Sequence, residues 1–226
     1  MAALRRLKKR GRIVSPRRGF LVLVPVEYRE AGSPPATWFI DPLARFLKQP
    51  YYVGLLSAAA LHGAAHQQPM AFQVVTDRPT RAVKVGRVRI VFHASRHVDD
   101  TSIVQMQTDT GTMRVSTPEA TAFDIVRFAR AAGDLSNVAT VLDELAEKLA
   151  PKALAGRART YAVPEVQRLG YLLDRVGKRR LAESLHASLE KRRRRTVLLA
   201  SGERKGRKRA DPRWRLFANQ AVEVDR

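Results

Sequence analysis

The 226-residue chain has no cysteine, which excludes disulfides, thiol catalysis and cysteine-ligated zinc. No apolar run approaches the roughly 18 residues needed to cross a bilayer. The basic N-terminus is not followed by the apolar core and small-residue cleavage site of a signal peptide, so a cytoplasmic location is the expectation. Acidic residues are scarce: 21 Asp and Glu stand against 42 Lys and Arg, a formal charge of +21. A field of that sign attracts polyanions, nucleic acid before acidic membranes. No stretch puts aromatics on one helix face and lysines on the other, so no membrane partner is expected.

Catalytic frames are equally sparse. There is no phosphate-binding glycine loop of either common kind, and Ser57, His62 and Asp77 sit in no nucleophile elbow. His62 and His66 have the i,i+4 spacing of a helical metal pair, but Gly63 intervenes, Pro69 follows and no glutamate occupies a metalloprotease position. His93 and His97 share that spacing at a strand end, where it does not bring two side chains to one face. His186 reads as a helix-surface residue. Asp77, Asp99 and Asp100 are the carboxylates from which a magnesium-dependent nuclease would be built, without the acidic residue and lysine expected on a neighbouring strand. The chain therefore reads as non-enzymatic, without cofactor or metal. A metal-dependent nuclease and a general RNA-binding protein are the alternatives.

What is present is enough apolar residue, 45%, to bury a sizeable core in one or two domains. The charge is unevenly spread. Residues 51–150 are near neutral, with about ten basic and ten acidic side chains, whereas 1–30 carry about +7 and 191–215 about +10.

Residues 3–10 predict a short helix with Leu4 and Leu7 on one face and Gly11 as left-handed cap. "RIVS" and "FLVLV" predict a hairpin around "SPRRG", with Pro16 at the first corner of the turn, Gly19 at positive φ, and Arg17 and Arg18 at the tip. Residues 25–38, rich in proline and without apolar period, read as a linker. A helix from Asp41 to about Lys48 and a second, "LLSAAALHG", precede β-branched runs: "AFQVVT", "AVKV", "RVRIVFHA", "SIVQMQT" and "TMRVS". Then come helices. Thr117, Pro118 and Glu119 start one whose buried stripe is Ala122, Ile125, Val126 and Ala129. "LSNVATVLDELAEKL", "VPEVQRLGYLLDRVG" and "KRRLAESLHASLEKRRRR" follow, before a final strand "TVLLA", a polar segment from Ser201 and an order-promoting end, "WRLFANQAVEVD". The fold class is α/β (α+β): a partial N-terminal winged helix-turn-helix in residues 1–30, then an α/β domain, 31–226, with a mostly antiparallel sheet and a C-terminal helical set.

Helix, short strand and basic-tipped hairpin form the second half of a winged helix-turn-helix, in which the helix occupies the major groove and the wing rests on the backbone. Arg5, Arg6, Lys8, Lys9 and Arg10 supply cations on the helix, and Arg12, Arg17 and Arg18 on the hairpin. A disordered basic arm has no use for "FLVLV". A complete winged domain needs one or two further helices to cover Leu4 and Leu7, and only three residues precede Leu4, so the expectation is that either the true start lies upstream or this form lacks part of its DNA-binding domain. Lys191, Arg192, Arg193, Arg194 and Arg195, with Lys205, Arg207, Lys208 and Arg209, form a distal cluster that also suits phosphate.

"YYVGLLSAAALHGAAHQQPMAFQVVT", "VGRVRIVFHAS", "VSTPEATAFDIVRFARAAGDLSNVATVL", "QRLGYLL" and "WRLFANQAVEVD", in that order, resemble the AbiEi-type abortive-infection antitoxin family, as does "LRRLKKRGRIVSPRRGFLVLVP" as its recognition helix and wing. The resemblance implies a winged helix followed by an α/β antitoxin domain. It further implies repression of the protein's own operon through operator DNA, and neutralisation of a nucleotidyltransferase-like toxin without need of a stable complex.

Overall fold

The structure, a computed structural model, describes residues 2–64, 69–204 and 209–223. The chain divides into two compact units, Met1–Ser57 with Gln68–Ser116, and Ala58–Gln67 with Thr117–Arg226. The fold is mixed α and β, as the sequence predicts.

In the first unit, α1 (Ala2–Lys9) ends where Gly11 turns left-handed, φ +63°. The Gly11 N–H donates to the Lys8 carbonyl and the Arg12 N–H to the Leu7 carbonyl, both 3.0 Å, a Schellman closure that only a residue without Cβ adopts cheaply. Strands β1 (Ile13–Arg17) and β2 (Phe20–Leu23) follow as an antiparallel hairpin. Pro16 is not at the turn. It sits buried inside β1, where the register slips between Val14 and Arg17, a position that tolerates a missing N–H. The turn itself is Arg18-Gly19, with Gly19 at φ +84°. One face of the hairpin, Ile13, Pro16, Val22 and Val24, is buried.

Residues 25–38 are more than a linker. The Arg87 N–H donates to the Ala31 carbonyl (2.8 Å), and buried Ser33 donates through Oγ to the Val85 carbonyl (3.0 Å). Gly32 lies so close to Gly86 that a Cβ on Gly86 would stand 2.2 Å from the Ala31 carbonyl oxygen. Trp38 Nε1 donates to Asp109 (2.7 Å), and the Thr110 hydroxyl donates to the Trp38 carbonyl (2.7 Å). Prolines precede two 3-10 turns, 26–28 and 36–38, and Tyr28 of the first packs edge-on against Trp38 of the second, 5.1 Å between centroids.

Helix α2 (Ile40–Leu47) stops at left-handed Lys48, and Asp41 lies in its first turn, paired with Arg45 at 2.6 Å. The short strand β3 (Tyr51–Val53) is wholly buried. Helix α3 (Leu55–Leu61) begins under Gln73, whose Oε1 accepts the Leu56 N–H (2.9 Å). The Gln73 N–H in turn donates to Ser57 Oγ (2.8 Å). The sheet is completed by β4 (Phe72–Thr76), β5 (Val83–Val85), β6 (Val88–Ala94), β7 (Ile103–Thr108) and β8 (Gly111–Ser116). Its order is β5-β6-β4-β3-β8-β7, with three of five pairings antiparallel. Tyr51 donates its hydroxyl proton to Asp41 (3.0 Å) and accepts the Arg114 N–H (3.2 Å). Burial, reinforced by the Asp41 carboxylate, pushes that phenol above its usual range.

The second unit opens on α4 (Pro118–Arg127), N-capped by Thr117, whose hydroxyl accepts the Ala120 N–H at 3.3 Å. The helix is buried well beyond a stripe: every residue from Ala120 to Val126 is buried. Ala129 lies past its end and is half-buried. Helices α5 (Leu135–Leu145), α6 (Pro151–Ala158), α7 (Val163–Arg175) and α8 (Arg179–Ser188) follow. Phe123 stacks on Tyr161 at 3.9 Å between centroids, and Arg127 lies over the same ring. Arg127 makes a two-pronged bond to Glu165 (2.6 and 3.2 Å). Burial opposes the guanidinium charge, but the Glu165 carboxylate outweighs it and holds the Arg127 pKa above its usual value.

The last elements, β9 (Val197–Leu198) and β10 (Leu216–Phe217), pair in parallel and deliver Trp214 onto α7. Gln167, Gly170 and Asp174 recur at i, i+3 and i+7 on one face of α7 to receive it. Gln167 Nε2 donates to the Trp214 carbonyl (2.6 Å), and Trp214 Nε1 donates to Asp174 (2.6 Å). Gly170 leaves room for the ring, since a Cβ there would lie 2.1 Å from it.

Candidate nucleic-acid interface

A helix of eight residues gains little from its own hydrogen bonds, so α1 depends on its closure onto the hairpin. Arg5, Arg6, Lys8, Lys9 and Arg10 are all exposed, Leu4 is exposed and Leu7 half-buried. Arg12 and Arg18 are exposed, Arg17 half-buried. Arg12 is tied to the hairpin by its backbone, accepting the Val24 N–H at 2.9 Å, which leaves its side chain outside. None of these eight cations forms an ion pair among the described residues.

The hairpin is anchored from beneath. Phe20 meets Phe46 of α2 at 5.4 Å between centroids, and Gly19 sits over the edge of the same Phe46 ring. Arg17 reaches sideways, donating through Nη2 to the Arg81 carbonyl. Thus α1 and the hairpin tip present cations on a braced element of the first unit. The described residues of this segment form one short helix followed by one hairpin.

Beside the tip, Arg17, Gln49, Arg78, Thr80 and Arg81 line a depression of about 350 Å³. Arg78 donates to the Lys48 carbonyl (3.1 Å), and Gln49 and Thr80 bond to each other (2.8 Å). Neither Arg78 nor Arg81 was marked by the sequence. They stand about sixty residues from the hairpin, and only the fold brings them to it.

In the second unit the four distal arginines have different roles. Arg192 turns back to the end of α6, donating to the Ala158 (2.9 Å) and Tyr161 (2.7 Å) carbonyls. Arg194 donates to the Arg213 carbonyl (3.2 Å) and touches the His186 ring. Arg193 and Arg195 are exposed, as is Lys191. Lys205, Arg207 and Lys208 lie outside the described residues, as does His66 of the proposed histidine pair. A cavity of about 480 Å³ in this unit is lined in part by Arg127, Arg130 and Arg168, with Asp134 and Glu203 on its wall. Burial pushes the Arg168 guanidinium pKa down, and its Nε donates to the Leu198 carbonyl at 2.9 Å.

The residues weighed for catalysis have structural surroundings. Ser57 Oγ is engaged at the start of α3. Asp77 stands 3.8 Å from Arg78, and Asp100 3.8 Å from His97. His186 packs edge-on against Trp214. Among the described residues no three His, Asp or Glu converge on a metal site. None of their helices is long and apolar enough to cross a membrane.

Comparison with known proteins matches residues 52–175, more than half of the chain, to the family described as the AbiEi antitoxin C-terminal domain. That span runs from the centre of the sheet to the end of α7. The crystal structure of the RV2827C protein from Mycobacterium tuberculosis is similar in fold, with a TM-score of 0.68 at 19% identity over 95% of this chain and 78% of that one. No curated protein matches the chain.

Proposed function

Since the chain belongs to the AbiEi-type antitoxin family, we propose that it is the antitoxin of an abortive-infection toxin–antitoxin pair and also represses its own operon. In this reading residues 1–30 hold operator DNA, while residues 31–226 counteract a nucleotidyltransferase-like toxin in the cytoplasm without catalysis. Family membership gives the antitoxin role and implies a cognate toxin as partner. One observation supports the DNA half: the basic side chains of α1 and the hairpin stand exposed, without carboxylate partners among the described residues, on an element braced by Phe46. Cations so placed suit the regularly spaced phosphates of a duplex.

Two measurements test the two halves separately. Gel shifts with the DNA upstream of the gene, against a scrambled duplex across a salt series, are expected to show preference for the native sequence; equal binding sinks the repressor. Co-expression with the neighbouring toxin gene is expected to restore growth. Failure to rescue removes the antitoxin reading and leaves the DNA reading standing.

A further inference from the structure

The depression beside the hairpin tip combines three guanidinium-bearing residues, an amide and a hydroxyl. Like charges gathered in one place repel unless something offsets them. Here carbonyl groups orient two of them: Arg17 bonds the Arg81 carbonyl, and Arg78 the Lys48 carbonyl. A carbonyl orients a guanidinium without cancelling its charge. Asp77 pairs with Arg78 at 3.8 Å, a long and exposed contact, and does not line the depression. Arg81 is exposed, and among the described residues its side chain has no hydrogen bond or ion pair. Arg17 and Arg81 thus carry charge that no carboxylate offsets among the described residues, Arg78 is offset only by its long contact to Asp77, and the Gln49–Thr80 pair adds neutral polar groups beside them.

We infer that this depression seats a backbone phosphate of duplex DNA, which makes Arg78 and Arg81, on the β4–β5 loop, DNA contacts alongside the hairpin's Arg17. The inference rests on the DNA-binding half of the proposed function and extends its footprint from the N-terminal arm onto the sheet. The ligand chemistry is a phosphodiester on a duplex, since the site adjoins a hairpin tip suited to a duplex backbone and holds no aromatic side chain on which a free base would stack.

The test is fluorescence anisotropy of the full chain with labelled duplexes, one from the upstream DNA and one scrambled, over a salt series. Each phosphate contact contributes about 0.9 to the steepness of log K against log salt. Arg81→Gln is expected to lower that steepness by about 1, and Arg78→Gln with Arg81→Gln by about 1 to 2, equally on both duplexes because the contact is blind to sequence. Arg81→Lys restores most of the loss. Because the Arg81 side chain is exposed, its variant reports on binding rather than folding. An unchanged slope and affinity in both glutamine variants overturns the inference and leaves the operator reading intact. Equal binding of both duplexes by the wild type, with the slope lowered in the variants, overturns the operator reading and supports the inference. Tighter binding of an unrelated single-stranded RNA, with the same slope change, overturns the assignment to duplex DNA.

Discussion

Gly170 and Gly156 are both helical glycines with opposite consequences. An alanine Cβ at 170 would sit 2.1 Å from the Trp214 ring, which is 1% exposed and has nowhere to move. Gly170→Ala is therefore expected to destabilise the protein by about 1–3 kcal/mol through overpacking. Gly156 has nothing within 4 Å of such a Cβ, and Gly156→Ala is expected to stabilise by about 0.5–1 kcal/mol. Thermal denaturation of the two variants checks both signs. His93 behaves differently because it titrates. Burial lowers its pKa below the usual 6.5, so in acid the unfolded chain takes up a proton that the folded one resists. Its contribution is flat above pH 6.5 and turns unfavourable as pH falls below it. Melting temperatures measured from pH 7.5 to 5 are expected to fall less steeply for His93→Gln than for the wild type.

At the scale of elements, the strands β4 to β8 were legible because their apolar residues are β-branched and bounded by turn residues. The strand β3 was not: it is three residues, buried on both sides, and runs at once into a helix, so it shows no alternation. Helix α6 was equally silent, being short and rich in alanine, glycine and charge. The pattern "KRRLAESLHASLEKRRRR" predicts a helix to its end, yet α8 stops at Ser188. Arg192 then folds back to satisfy the carbonyls that finish α6, a tertiary demand that local periodicity cannot show. The interface was half legible for the same reason. Arg17 and Arg18 declare themselves beside a turn, whereas Arg78 and Arg81 acquire meaning only when β5 comes to lie near β1. The brace under the hairpin makes its own prediction. Phe46→Ala removes an aromatic contact worth about 0.5–1.5 kcal/mol beyond burial and no charge. Hydrogen exchange is expected to quicken at residues 13–24 while the rest of the sheet keeps its protection.

For the whole molecule, a formal charge of +21 has two effects of opposite sign. It draws polyanions, and it makes the folded chain repel itself. Salt screens both. Raising sodium chloride from about 20 to 300 mM, which shortens the screening length severalfold, is expected to raise the melting temperature while weakening DNA binding. A melting temperature that falls with salt would mean that pairing such as Arg127–Glu165, rather than net repulsion, dominates the balance. The bonds at the rim of β5 carry a further consequence. Arg17 donates to the Arg81 carbonyl and Ser33 to the Val85 carbonyl, so the N-terminal segment is tied to the chain just before β5 and at its end, and β5 is an edge strand of the sheet. An open edge is a template on which another chain can add a strand. The N-terminal segment therefore also shields an edge: a chain begun after residue 33 is expected to leave β5 open and to self-associate more readily, which size-exclusion chromatography of the shortened chain checks.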